Sequence, residues 1–247
     1  MSDLKPLSEK HNCAYCPIIR KICRVPDGKG PSTCPTIKQK EVLDQAMEHY
    51  ENDRGIMEFA RQASVQEGEC YANRKPGPYT MHPQKTRVEE IIEFANKMKY
   101  RKIGIAFCGG VTYEASILSE ILEKHGLDVV AVSCKVGSVP KEKIGILEEQ
   151  KIRIGEYEPM CNPIGQAELL NSANLDLTVM LGLCVGHDSL FLKYINGFAT
   201  VMAVKDRVTG HNPMAALYTA HSYYQRLKKL EMGSDAEMKS RMVSRNK

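Results

Sequence analysis

Tryptophan is absent and phenylalanine occurs only five times, so the aromatic platforms on which single-stranded nucleic acids stack are missing. An excess of one charge is also missing. The 34 Lys and Arg residues against 30 Asp and Glu leave a net charge of +4. The basic residues form no single stripe, which argues against a nucleic-acid partner. No apolar run approaches the ~20 residues that a membrane-spanning helix needs. The N-terminus has no apolar stretch of the kind that marks a secretory signal. A cytoplasmic protein with no membrane partner is therefore expected. Neither G-x-G-x-x-G nor a Walker A pattern occurs, so nucleotide phosphates are not indicated as ligands.

Cysteine, by contrast, is plentiful: there are nine. In a reducing compartment that number suggests metal ligands or reactive thiols, and its oddness argues against a fully paired disulfide framework. The first group is Cys13, Cys16, Cys23 and Cys34, spaced C-x2-C-x6-C-x10-C. Pro17, Pro26, Pro31, Gly28 and Gly30 make this segment rich in turns and poor in core-forming residues. Four thiolates around one metal centre would supply the missing stability, because metal-binding free energy becomes folding free energy. The C-x2-C pair suits zinc, whereas Cys34-Pro35 also occurs in iron–sulfur runs, so zinc or an iron–sulfur cluster is expected.

The second group is organised by strands. Lys102–Cys108, Asp128–Cys134 and Leu177–Cys184 read as three strands, each an apolar run that ends on its cysteine. A further strand is expected at Ala199–Val204. Helical stripes alternate with these runs. Thr86-Arg-Val-Glu89 reads as a capping box ahead of Val88, Ile91, Ile92, Ala95 and Met98. Ala115, Ile117, Leu118, Ile121 and Leu122 form a second stripe, with Gly126 as its stop. Asn162-Pro163 opens a third helix, to about Asn171, and Asp188 is expected to cap a fourth. Asn212-Pro213 repeats the device and should start a long last helix, to about Leu230. Residues 135–160 read as irregular and charged, in part a lid over the sheet end.

This order implies an α/β fold: a Rossmann-like parallel sheet of about four strands with helices on both faces. The expected organisation is a four-cysteine module at 1–35, a helical connector and loop at 36–85, the α/β domain at 86–230 and a flexible basic tail at 231–247. In such sheets, ligands bind beyond the strand C-termini. Cys108, Cys134 and Cys184 sit there, with Cys161 just ahead of a helix start on the same edge. Helix N-termini stabilise thiolates and sulfides, so a 4Fe–4S cluster held by Cys108, Cys134, Cys161 and Cys184 is expected. His187 and Asp188 are candidates for proton transfer or ligation, and Lys135 and His211 for substrate contact. Lys205–Arg207 reads either as a solvated turn or as an anion clamp.

Several stretches resemble one family, DUF1847, whose members are described as uncharacterised metal-binding proteins. They are Thr86-Arg-Val-Glu-Glu-Ile-Ile-Glu-Phe-Ala, Lys102-Ile-Gly-Ile-Ala-Phe-Cys108, Cys134-Lys-Val-Gly, Met160-Cys-Asn-Pro-Ile, Gly182-Leu-Cys-Val-Gly-His-Asp-Ser-Leu-Phe and Val204-Lys-Asp-Arg-Val-Thr-Gly-His-Asn-Pro. The resemblance implies a metal, usually zinc, at the N-terminal cysteines, and implies no known reaction. Taken together, the sequence points to a metal-binding redox or sulfur-handling enzyme. Its partner would be a small-molecule substrate or an electron-transfer partner. The alternative is a zinc-stapled, non-catalytic module that binds a small molecule or a protein.

Overall fold

The computed structural model describes residues 12–229. The chain forms two compact units, divided between Gln84 and Lys85. Residues 1–11 and the expected basic tail at 231–247 lie outside the described residues.

The first unit begins with turns. Ile22 N–H donates to Lys29 O at 3.0 Å and Lys29 N–H to Arg20 O at 2.8 Å. Gly28 is required at this crossing, because a Cβ there would sit 2.3 Å from Ile22 N. Three helices follow: α1 (Pro35–Lys38), α2 (Lys40–Asn52) and α3 (Arg54–Glu69). The break between α2 and α3 falls at Asp53, whose carboxylate accepts from Gly55 N–H at 2.8 Å and Ile56 N–H at 3.1 Å. Such a cap satisfies amide donors that the helix itself leaves open.

The second unit carries a four-stranded parallel sheet. Helix α4 (Arg87–Lys97) starts at the expected capping box, with Thr86 and Glu89 bonded reciprocally. Then come β1 (Lys102–Phe107), α5 (Thr112–Lys124), β2 (Asp128–Ser133), α6 (Pro163–Asn171), β3 (Leu177–Leu183), α7 (His187–Tyr194) and β4 (Ala199–Val204). The strand order is β2-β1-β3-β4, every pair parallel. The chain moves one way from β1 to β2 and the other way to β3, so the switch point lies between β1 and β3.

Strand alternation divides the core in two. Ile103, Ile105, Leu177 and Val179 face Ile91, Ile92 and Ala95 of α4 and Ala115, Leu118 and Leu122 of α5. Ala106 and Met180 face the other way, towards Ala167 and Leu170 of α6 and Phe191 of α7. Helices thus cover both faces, which explains why β3 is buried along its whole length. In α6, Asn162 caps the helix by accepting from Gly165 N–H at 2.9 Å, and Pro163 occupies the first turn, as the Asn-Pro pair predicts.

Residues 135–160 are irregular, as expected, but they are tied to themselves. Lys151, with only 4% of its side chain exposed, reaches Glu142 at 2.5 Å and Glu148 at 2.7 Å. Glu158 takes Lys141 at 2.5 Å and the amides of Ile152 and Arg153 at 2.9 and 3.0 Å.

Two expectations about helix ends are corrected. The long last helix is instead α8 (Met214–Tyr218), followed by turns and a 3-10 segment at Gln225–Lys228. Leu217, Tyr218 and Tyr223 are 60%, 72% and 88% exposed. A helix there would have no apolar face to bury, and helices draw most of their stability from that burial. Thr219 and Ser222 also spend their hydroxyls on nearby carbonyls, a pattern that competes with helix propagation. Asn212 is not the cap either: Pro213 is, and no side chain caps that helix. Similarly, Asp188 is not the cap of α7. Gly186, at φ +86°, takes that place, and the Asp188 carboxylate accepts from Ser189 N–H at 2.7 Å inside the first turn.

Candidate functional site

The site is set by strand register. Phe107 pairs with Ser133, so the next residues, Cys108 and Cys134, leave the sheet side by side. Phe107 also pairs with Leu181, which places Cys108 level with Gly182. Cys184 is two residues further on, about 7 Å at the usual rise along a strand. Three runs each ended by cysteine therefore do not bring their thiols to one level. The irregular pairing of β3 with β4 between Leu181 and Leu183 adds to this. Leu181 and Leu183 face opposite cores, although simple alternation would give them the same face.

Cys161 reaches the site from another direction. Asn162 N–H donates to Cys134 O at 2.7 Å, which draws the residues before α6 alongside the end of β2. The result is a row of three thiols with Cys134 in the middle, close enough to Cys108 and to Cys161 to shift the acidity of both. Cys134 is 2% exposed, whereas Cys108 and Cys161 are half-buried.

Amides and cations flank the row. After β1 the chain turns through a 3-10 segment, Gly109–Val111, whose first N–H groups point back. Gly109 N–H donates to Cys134 Sγ at 3.3 Å and Gly110 N–H to Cys108 Sγ at 3.5 Å. Gly110 lets Lys205 come close: a Cβ there would lie 3.4 Å from Lys205 Nζ and 3.8 Å from Cys108 Sγ. At the other end, Lys135 acts electrostatically on Cys161 and donates to Pro159 O at 2.6 Å.

These neighbours drive the thiols apart in acidity. The neighbouring Cys134 thiol is the main reason that Cys108 falls from 9.0 to about 4; burial opposes it, and the Gly110 amide and Lys205 reinforce it. Cys161 is lowered to about 6, again chiefly by Cys134, against burial and with help from Lys135 and His187. Cys134 is pushed up, by Cys108 first, then Cys161 and burial. A middle thiol that keeps its proton between two thiolates is the consistent reading of the row.

The other expected residues divide. His187, the first residue of α7, acts electrostatically on Cys161, and its buried Nδ1 has no hydrogen-bond partner. It belongs to the site. Cys184 does not join the row and instead accepts from Arg207 at 3.1 Å. Asp188 stays within its own helix turn. His211 closes its own loop, its Nδ1 accepting from Asp206 N–H at 3.1 Å. Lys205 and Arg207 therefore sit on thiols rather than in a merely solvated turn.

One contributor escaped the sequence reading. Gln166, fully buried at 0% exposure, donates from Nε2 to Phe107 O at 3.1 Å and Val132 O at 2.7 Å. It ties together the ends of β1 and β2 just before the paired thiols, and its Oε1 has no partner. Its signal was present: a glutamine on the stripe Pro163, Gln166, Ala167 and Leu170, where an apolar residue is the rule.

Among the described residues, no group of three or more His, Cys, Asp or Glu is arranged to hold a metal ion. Of the four cysteines expected to hold a cluster at the sheet edge, Cys108, Cys134 and Cys161 share the row, and Cys184 lies beyond it beside Arg207. In the first unit, Cys13 and Cys23 are exposed, Cys16 is half-buried and Cys34 is buried. These four likewise form no such group. No helix among the described residues is long and apolar enough to cross a membrane.

Comparison with known proteins places this geometry in context. The uncharacterized protein MJ0455 of Methanocaldococcus jannaschii is 44% identical over 195 residues, covering 79% of this chain and 91% of the relative. No solved structure matches the chain. The family model described as protein of unknown function, DUF1847, matches residues 34–202, a span that includes Cys108, Cys134, Cys161 and Cys184, and the chain belongs to that family.

Proposed function

We propose that this protein is a thiol-dependent enzyme, carrying redox or sulfur-handling chemistry on a small molecule at the C-terminal edge of its sheet. One observation carries the reading: a buried thiol, Cys134, set between two half-buried thiols, each near a lysine. Unrelated packing cysteines have no reason to stand in one row or to collect amide donors and cations. Thiolates are the nucleophilic form of cysteine, and neighbouring cations and amides are what maintain them near neutral pH. His187, beside Cys161, can take or give a proton there. The strand C-termini next to a topological switch point are also where α/β sheets bind small ligands.

The test joins metal analysis with thiol reactivity. Protein purified without oxygen is expected to carry no stoichiometric iron or acid-labile sulfide at the sheet edge. Near about pH 6, iodoacetamide is expected to modify Cys108 and Cys161 faster than the same residues in the denatured chain, because their thiolates are already formed. Iron and sulfide that disappear when Cys134 is replaced overturn the reading in favour of a cluster. So does reactivity no greater than that of the denatured chain.

A further inference from the structure

Cys134 can meet no outside reagent directly, since only 2% of its surface is exposed. What it can meet is fixed by the backbone on both sides. Towards β1, its own N–H donates to Phe107 O at 2.8 Å, and the pairing of Phe107 with Ser133 continues into Cys108 and Cys134. Adjacent strands run about 4.8 Å apart, inside the range of about 4.4–6.8 Å between Cα atoms that a disulfide spans. Towards α6, Asn162 N–H donates to Cys134 O at 2.7 Å and carries Cys161 alongside. Gln166 holds the ends of β1 and β2 together from below. One thiol thus has two bridgeable partners, and it can bond to only one at a time.

From this we infer that Cys134 is the shared resolving thiol of two alternative disulfides, Cys108–Cys134 and Cys134–Cys161, and that the substrate is a small disulfide bearing carboxylates. This deepens the thiol-dependent reading above and rests on it. In the first step the Cys108 thiolate attacks one sulfur of the substrate R–S–S–R. The substrate's S–S bond breaks, RS⁻ leaves, and a mixed disulfide joins Cys108 to the other half. Cys134, out of reach of the leaving group, passes its proton to the neighbouring Cys161 thiolate, which relays it to the departing thiolate, and Cys134 attacks the Cys108 sulfur. The second RS⁻ leaves, and Cys108–Cys134 is formed. The Cys161 thiolate then attacks Cys134, which forms Cys134–Cys161 and returns Cys108 as a thiolate. An external dithiol reduces Cys134–Cys161 and becomes a cyclic disulfide. Two electrons pass from dithiol to substrate, and two RSH result. Lys205 at the Cys108 end and Lys135 at the Cys161 end supply the positive charge that favours carboxylates on the substrate.

The experiment treats the reduced full-length protein with oxidised glutathione, quenches it in acid, blocks remaining thiols and maps disulfide-linked peptides. Wild type is expected to give both the 108–134 and the 134–161 pairs. Cys161→Ser is expected to give only 108–134. Cys134→Ser, and Cys134→Ala beside it as the better match to a buried apolar position, are expected to accumulate glutathione on Cys108. Cystamine, which carries amines in place of carboxylates, is expected to react at least several-fold more slowly. Glutathione that remains on Cys108 of the wild type, with neither internal pair formed, overturns the shared resolving role while leaving thiol reactivity intact. A faster reaction with cystamine overturns the substrate assignment. No reaction at any thiol of the row overturns the underlying reading too.

Discussion

Replacing Cys134 by alanine removes the neighbour that does most to hold Cys108 as a thiolate. A neighbour that donates to a charged group contributes about 1.5–3 kcal/mol, and a pH unit corresponds to about 1.4 kcal/mol. The Cys108 thiol should therefore titrate about 1–2 units higher in the variant. The assay follows iodoacetamide modification of Cys108 by mass spectrometry from about pH 4 to pH 9. With its thiol lowered from 9.0 to about 4, wild-type Cys108 is almost wholly ionised above about pH 5, and its rate should be flat across the upper range. An unperturbed thiol should instead gain about tenfold per pH unit until it ionises. Thiolates of lower pKa are weaker nucleophiles, with a Brønsted slope of about 0.4–0.5. Set against a roughly thousandfold larger ionised fraction near pH 6, that slope leaves Cys108 about three- to tenfold faster than an unperturbed thiol. Near pH 9 the order reverses and Cys108 becomes the slower thiol. A wild-type rate that climbs tenfold per unit, or an onset that Cys134→Ala leaves in place, would refute the coupled row.

Three further outcomes test the frame around the site. Glu158, paired with Lys141 and accepting from the amides of Arg153 and Ile152, is held down to about 2. A carboxylate lowered by folding stabilises the fold fully above its ordinary 4.5 and loses that contribution as the pH falls through about 2. Protection of the amides of residues 140–159, taken relative to the intrinsic exchange rate at each pH, should therefore fall as the solution is acidified through that window, and Glu158→Gln should lower it already at neutral pH and flatten the dependence. Gly182 sits at φ +66° with an added Cβ 2.9 Å from Val111 Cγ2, so Gly182→Ala should lower the unfolding free energy in urea by about 1–3 kcal/mol. Gln166→Leu keeps most of the volume but removes both bonds to the strand ends; a loss of about 1–3 kcal/mol is expected, with slower formation of the Cys108–Cys134 pair.

Much of the second unit was legible because its elements obey local rules. The capping box at Thr86, the Asn162-Pro163 start and the apolar runs of β1 to β4 each declare themselves within a few residues. The last helix was misread for the converse reason: Asn212-Pro213 is a sound local signal, but nothing in a window of sequence reveals that Leu217, Tyr218 and Tyr223 find no surface to cover. Asp188 failed as a cap because Gly186, at φ +86°, starts α7 earlier. A glycine in that conformation offers a turn that no pattern of capping residues announces.

The thiols show where local reading stops. Cys108, Cys134 and Cys184 look equivalent in sequence, each directly following an apolar strand. Whether they meet depends on pairing, which is a property of two segments at once. The pairing of Phe107 with Ser133 aligns two of them, and that of Phe107 with Leu181 leaves the third two residues beyond. Cys161, which ends no strand, is admitted by one backbone bond, Asn162 N–H to Cys134 O. The displaced Cys184 meets Arg207 instead. This assigns different chemistry to thiols of similar sequence context. If register governs the row, Cys184→Ser should leave the pH profile of Cys108 modification unchanged, whereas Cys134→Ala should move it. A shift of the profile with Cys184→Ser would mean that the third strand end takes part after all, and that the sheet edge holds a four-thiol site.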